Sequence, residues 1–422
     1  MIRKIFIVTV LFICSYSFAQ EGSVSPYSYY GTGDQRFKGT VENRSMGGIS
    51  VYSDSIHLNL NNPASLGKLK LTTFSVGGNY NSVSLKTTDQ KETASDFTFD
   101  YIALGIPLGN NLGMSFGLRP YTSVGYRIEA LDEKSNPTEY NRYEGEGGIN
   151  KVHFALGYEF LKNFSVGALA NFNFGTITNM KVSYLDQIQY GTMVENSSEY
   201  SGFDFKFSLH YETEIRKNLN LQSAIVYTPS TEITSSNSRT ISTVSRNAAG
   251  NEIPGYSEEL DLRGNGLHST YLNLPESYSF GLGIGKKYTW FLGAEYEINK
   301  TSEFKNDFVS TPNGTYEDGE RFSAGAFWVP DYDSFTSYWK RVTYRVGVHN
   351  ERTGLIVNNV PVHDFGMSFG LGLPIRDFSN INIGVEYGKR GSSYLGRIEE
   401  NYLNVFLSLS LNDRWFQKSL IR

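Results

Sequence analysis

The chain has 422 residues and balances 38 Lys+Arg against 43 Asp+Glu for a formal net charge of −5. Without a long basic block, nucleic acid is excluded as a partner. Cys14 is the only cysteine, so disulfides, thiol catalysis and cysteine-ligated metals are excluded from anything downstream of it. Aromatics reach 14% and glycines number 42, yet mean hydropathy is only −0.34. A chain rich in Tyr, Phe and Gly but not apolar on average fits a membrane β-barrel, in which only every second strand residue meets lipid.

The first residues predict export. Arg3 and Lys4 precede the apolar run Ile5 to Ile13, and Ser17 and Ala19 supply small residues at −3 and −1 of a cleavage site. Residues 1–19 then form a signal peptide and Gln20 starts the mature chain. The run is far shorter than the roughly 20 residues of a membrane-spanning helix. Ile13 before Cys14 disfavours a lipoprotein signal, which wants a small residue there. The destination expected is the outer membrane of a Gram-negative bacterium.

From Leu71 onward, period-two alternation dominates. In Phe203-Asp204-Phe205-Lys206-Phe207-Ser208-Leu209-His210-Tyr211-Glu212, one face is aromatic or aliphatic and the other polar. The same reading predicts strands over 71–80, 97–108, 113–128, 152–160, 164–174, 219–227, 278–284, 290–298, 322–328, 342–348, 365–373, 381–387 and 403–411. With 203–212 these make about fourteen, an even count as bacterial barrels have. Connections alternate in length. Short turns are expected at Gly109–Asn111, Lys162-Asn163, Arg216–Asn218, Lys286-Lys287 and Ile375–Ser379, with a medium turn at Pro330–Arg341. Long loops are expected after Tyr80, Ile128, Met180 and Ile298, and through Thr228–Thr270, Glu351–His363 and Lys389–Glu400. A soluble β-sandwich also alternates but has no reason to segregate loop lengths; an outer-membrane barrel does. The fold class expected is therefore all-β, a transmembrane antiparallel β-barrel over residues 70–416, with a C-terminal tail at 417–422. Trp290, Trp328, Tyr211, Tyr227, Tyr296 and Tyr387 fall near strand ends, where interfacial girdles belong.

Residues 20–69 do not alternate. Their Gly, Pro and Asn would suit a disordered tail, but they keep Tyr, Met, Ile and Leu throughout, which favours a lumenal hatch. Met46-Gly47-Gly48, followed by Asn62-Pro63-Ala64-Ser65-Leu66 just before the first strand, resembles the FadL family of outer-membrane channels for hydrophobic compounds. Ser25–Asp34 and Asn401–Phe416 look like the version common in Bacteroidota. The resemblance covers essentially the whole mature chain. It implies a plugged barrel passing hydrophobic small molecules such as long-chain fatty acids, with membrane lipids as its surroundings. Some relatives of similar shape serve instead as non-enzymatic subunits of outer-membrane protein secretion or barrel-assembly machines, so other outer-membrane proteins stand as alternative partners.

Two segments, Gly113–Gly117 and Gly366–Gly370, match the Gly-x-Ser-x-Gly nucleophile pattern. Both lie inside alternating strands rather than at a strand–turn–helix elbow, so no enzyme is expected. His153, Glu159, Asp204, Lys206, His210, Glu212, Glu295, Arg345 and Glu386 fall on the inward face, with no metal-ligand spacing, and read as charges of a hydrated lumen; neither metal nor cofactor is expected. Gly281, Gly283, Gly285, Gly366, Gly370 and Gly372 make two inward rows that leave room for the hatch. Pro120 interrupts the third strand between Arg119 and Tyr121. A proline cannot donate to the ladder, so the wall must bulge or open there. In the FadL family such an interruption implies a lateral exit for apolar cargo.

Overall fold

The computed structural model describes residues 23–415 apart from 88–89, 110, 133–136, 248–251, 310–313, 376–378 and 394–396. The expected signal peptide 1–19 and tail 417–422 lie outside the described residues. Fourteen antiparallel strands close a barrel. They are β1 (Thr72–Lys86), β2 (Lys91–Pro107), β3 (Leu112–Asp132), β4 (Glu139–Leu161), β5 (Phe164–Leu185) and β6 (Gly191–Arg216). β7 runs as Leu219–Thr228 and Thr231–Arg246, and β8 as Glu252–Glu259, Ser269–Leu274 and Ser277–Lys286. β9 is Trp290–Asn299 with Lys305–Asn306, and β10 is Gly314–Tyr316 with Gly319–Trp328. β11 (Thr343–Val357), β12 (Val360–Pro374), β13 (Asn380–Gly391) and β14 (Glu399–Asp413) complete the wall, and β14 returns to β1 from Thr72↔Asp413 to Lys86↔Glu399.

Alternation sets which face meets lipid. On β4, Val152, Phe154, Leu156 and Tyr158 are exposed while Lys151, His153 and Ala155 are buried, and β6 repeats this with Phe203, Phe205 and Phe207 outside and Asp204 and Ser208 inside. No described helix is long and apolar enough to cross a membrane; the strands cross, and closure pairs their backbone groups where water is absent. Trp290 faces Trp328 across β9 and β10 at the short-turn end, the periplasmic end in barrels of this kind. Exposed Tyr296 and Tyr387 lie toward the opposite end.

The strands end where the short turns are expected, but several long loops do not exist as loops. Thr231–Arg246 pairs with both β6 and Glu252–Glu259, so most of Thr228–Thr270 is sheet. Beyond the membrane the outward face meets water, so Thr231–Arg246 shows no apolar/polar alternation, only the Thr, Ile and Val that suit a pleated sheet. The loop expected at Glu351–His363 is a hairpin closed by Asn358 and Asn359, with φ of 50° and 62°. Asparagine tolerates that left-handed region better than most residues.

Candidate functional site

The N-terminal segment, residues 23–71, runs through the barrel interior. Its elements are short: a 3-10 turn at Pro26–Tyr29, the two-residue strand Asp34–Gln35, one helical turn at Val41–Arg44 and a 3-10 turn at Pro63–Lys68. Glycine permits the close seating. Gly47 and Gly48 adopt φ of 71° and 86°, which ends the helical turn at the wall. A Cβ at Gly325 would collide with the Met46 carbonyl, and one at Gly347 with the Gly47 nitrogen. At the other side, Gly157 and Gly167 lie against Pro63 and Ala64 in the same way. Ser208 Oγ accepts from Ala64 N at 2.7 Å, Ser368 Oγ accepts from Gly47 N at 3.1 Å, and Asn62 donates to the Ser50 carbonyl at 3.3 Å. Of the six glycines expected to make this room, Gly281 and Gly370 meet the segment at Val51 and Ser45. Gly283, Gly285, Gly366 and Gly372 meet barrel residues instead, Phe291, Trp290, His349 and Arg345. Alternation fixes the inward face of a glycine but not what stands opposite it.

Buried ion pairs tie the segment to the wall. Arg36 Nη2 lies 2.6 Å from Asp96 Oδ2; Arg44 Nη1 lies 3.0 Å from Asp100 Oδ2 and its Nη2 3.5 Å from Glu386 Oε2. Arg390 meets Asp34 at 2.7 Å, and Lys68 pairs with Glu212. The sequence-predicted inward set is distributed among such contacts rather than gathered in one site. Asp204 accepts from Lys151 (2.8 Å), Asn171 (2.6 Å) and Asn173 (2.7 Å). Glu295 accepts from Ser50 N at 2.6 Å and Ser279 Oγ at 2.8 Å. Lys206 faces inward and forms no ion pair among the described residues, and His210 is buried with neither ring nitrogen bonded. Glu159 lines a polar recess of about 320 Å³ with Lys68 and Glu212. Arg36, Arg44, Asp96 and Asp100 were missed by sequence reasoning, although Asp96 and Asp100 share the inward parity that Phe97 and Phe99 define.

Ser115 Oγ stands 3.2 Å from His153 Nε2, but His153 Nδ1 has no partner among the described residues, and both members lie in strands. Among the described residues no carboxylate orients the imidazole, so the pair lacks the third member of a nucleophile triad. Among the described residues no group of three His, Cys, Asp or Glu could hold a metal ion.

At the level of the apolar belt the wall parts between β2 and β3. β2 and β3 pair only from Ile102↔Leu118 to Pro107↔Gly113. Above Leu118, β3 stays paired with β4, through a bulge between Pro120 and Thr122, while β2 stays with β1. The register Pro120↔Asn150 and Asn150↔Phe174 puts Pro120 level with the outward ring of Phe174, within the apolar belt. The segment occupies the β3 edge. Asp34 and Gln35 pair with Ser123 and Thr122, Arg36 N donates to the Tyr121 carbonyl at 3.0 Å, and Gly125 N donates to Ser28 Oγ at 3.2 Å. Arg119 points inward and donates to the Leu60 carbonyl at 3.2 Å, and Lys151 Nζ sits 3.7 Å above the Tyr121 ring.

The two ends of the interior differ. Toward the long strands, Tyr29 packs edge-on against Tyr126 and Tyr143, in a cluster with Val124, Ile149, Ile177 and Tyr200. Toward the short turns, a cavity of about 620 Å³ opens beneath the segment. On its wall Asp54 binds His57 Nδ1 and accepts from Tyr52 Oη at 3.0 Å. Burial alone would lower the His57 pKa, but the Asp54 carboxylate outweighs it and holds the imidazole above the ordinary histidine range. Burial would raise Asp54, and the adjacent imidazolium instead holds it well below the usual carboxylate range.

No curated protein matches the sequence. Solved structures match the fold. The toluene transporter TbuX of Ralstonia pickettii superposes with a TM-score of 0.60 at 13% identity, covering 92% of this chain and 100% of its own. A monoaromatic hydrocarbon channel, CymD, gives 0.56 at 14% identity over 92% and 100%. A Pseudomonas aeruginosa FadL homologue gives 0.56 at 12% over 90% and 98%. The fold is thus that of the FadL-type hydrophobic-compound channels. The family model described as BamG matches residues 1–422. A match over the full length of the sequence places this chain in the BamG family.

Proposed function

We propose that this chain is a passive outer-membrane channel of the FadL type for hydrophobic small molecules, long-chain fatty acids among them, with residues 20–69 as its hatch. Cargo would leave sideways through the wall at Arg119, Pro120 and Tyr121. The observation that carries this reading is the missing β2–β3 pairing above Leu118, inside the apolar belt, with a two-residue strand of the N-terminal segment in its place. A lateral exit suits apolar cargo, because it leads into hydrocarbon without crossing the aqueous lumen. The inward charges serve the hatch, to which Arg44 and Lys68 bind Glu386 and Glu212. Hydrophobic channels of the same fold, CymD and TbuX, support the reading.

A second reading, a non-enzymatic subunit of an outer-membrane protein secretion or barrel-assembly machine, is favoured by one observation. The tyrosine-rich cluster around Tyr29, Tyr126 and Tyr200 fills the long-strand end of the interior, where cargo would have to enter. Purification of the full chain from its native membrane in mild detergent, paired with uptake of a labelled long-chain apolar probe, separates the two. A lone barrel that supports uptake upholds the channel. A stoichiometric complex without uptake upholds the subunit and overturns the channel.

A further inference from the structure

The polar recess at the short-turn end lies inside the ring of strands and opens toward water. Its wall residues Glu212 and Gln222 are cross-strand partners turned inward, and Gln222 bonds the Ser53 backbone through both its amide oxygen (3.0 Å) and its amide nitrogen (3.1 Å). Lipid headgroups outside the barrel therefore do not reach the recess. Four lysines stand around its opening. Lys70 comes from the N-terminal segment, Lys162 from the β4–β5 turn, and Lys286 and Lys287 from the β8–β9 turn. All four are exposed and form no ion pair among the described residues. The carboxylates of the recess are mostly committed. Asp54 is held by His57 and Tyr52, Glu212 by Lys68 and by Asn220 at 2.8 Å, and Glu214 accepts from Asn218 N at 2.7 Å. Glu159, in no ion pair among the described residues, is the competing negative charge. At the back, Ser53 Oγ is buried without a partner among the described residues.

These lysines are spread out rather than convergent. From the β4–β5 turn to the β8–β9 turn is four strand spacings, roughly 19 Å along the wall. One phosphate or sulfate cannot bridge that distance. An extended polypeptide covers it with about six residues and presents alternate side chains to one side. The chain's own end does not supply the charge, since residues 417–422 carry Lys418 and Arg422 and no acidic side chain. We propose that this mouth docks an acidic, extended polypeptide segment of a water-soluble partner at the periplasmic end. The segment's carboxylates meet Lys70, Lys162, Lys286 and Lys287, and its backbone lies across the recess. Because Lys70 and Ser53 belong to the N-terminal segment, the partner takes hold of that segment as well as of the wall. The contact stands apart from the β2–β3 gap and requires no cargo.

The test uses the full-length protein in phosphatidylcholine nanodiscs and a fluorescent peptide of alternating Glu and Ala, with its Gln/Ala counterpart as control. The Glu peptide should bind about tenfold more tightly, the sum of several exposed charge pairs, and high salt should erase the difference. The triple variant Lys162→Gln/Lys286→Gln/Lys287→Gln, confined to exposed turns, should bring the Glu peptide down to the level of the control. Lys340→Gln, on the turn between β10 and β11, should change nothing. Equal binding of the two peptides overturns the proposal, as does unchanged binding by a folded triple variant or an equal loss in Lys340→Gln. Displacement by inorganic phosphate, at ionic strength matched with chloride, would make this a small-anion site. Phosphatidylglycerol that co-purifies with the protein and is lost in the triple variant would assign the lysines to lipid. Either result overturns the polypeptide. If the triple variant does not fold, the peptide ratio and the phosphate competition in the unaltered protein decide alone. Uptake is measured separately, so failure here leaves the channel reading standing, and the reverse.

Discussion

Two strand junctions on the same side of the barrel behave in opposite ways. Where the chain closes on itself, β1 and β14 pair along all of β1, from Thr72↔Asp413 to Lys86↔Glu399. Two junctions further along, β2 and β3 part above Ile102↔Leu118, and a piece of the N-terminal segment takes the vacated edge of β3. Closure of the termini, which has no covalent turn to help it, is therefore the stronger junction. The weak one is internal and opens above Leu118, at Arg119 and Pro120, where the Arg119 guanidinium turns inward and donates to the Leu60 carbonyl. Wall continuity is set by local sequence, not by chain connectivity.

The comparison can be broken most forcefully by removing the segment. Deletion of Glu21–Leu66 takes away Arg36, Arg44 and the strand at Asp34–Gln35, and should raise single-channel conductance in planar bilayers while β1 and β14 stay paired. Unchanged conductance would place the segment outside the conducting path. Next in size, Arg44→Met strands the carboxylate of Asp100 and takes one partner from Glu386, which keeps Asn404. Leaving buried charge unpaired should cost about 3–5 kcal/mol, read as a lower midpoint in urea unfolding from lipid vesicles, and an unaltered midpoint would mean the pairs are solvated. Pro120→Val restores one backbone donor, worth roughly 0.5–1.5 kcal/mol if it finds a partner. It should leave the barrel as stable or more so and lower probe uptake; lost stability with intact uptake would mark the bulge as architectural only.

The smallest effect expected is the pH response of the Asp54–His57 contact. His57 is held above its ordinary value, so its stabilisation is complete below the unfolded histidine value of about 6.5 and fades as pH rises through the higher folded value. Asp54 is held below its ordinary value, so its share is complete above about 3.9 and fades as pH falls through the lower folded value. Protection of the 54–58 amides, corrected for intrinsic exchange, should peak between those limits, and His57→Gln should remove the decline on the alkaline side.

Much of this was legible in the sequence, for identifiable reasons. Every membrane-level strand follows from alternation, because lipid on one side and the interior on the other impose a two-residue period. Above the membrane both faces meet polar surroundings, so Thr231–Arg246 carries β-propensity without the period and reads as loop. Inward parity likewise marks Glu386 and Asp204, but a strand pattern says nothing about partners. The Arg44 that meets Glu386 lies 342 residues away in the chain, in a segment with no periodicity at all. Pro120 was visible as a break in pairing; the strand that fills the break was not, since Asp34–Gln35 is two residues long.

The most direct measurement is a reversible lock on that strand. Gln35 and Thr122 are Cα partners, and because Arg36 N bonds the Tyr121 carbonyl, they form a non-hydrogen-bonded pair, the close-set kind that a disulfide can bridge. In cells producing Gln35→Cys/Thr122→Cys, oxidation should abolish uptake of a labelled long-chain apolar probe and reductant should restore it. Full crosslinking with uptake unchanged would contradict a lateral exit between β2 and β3.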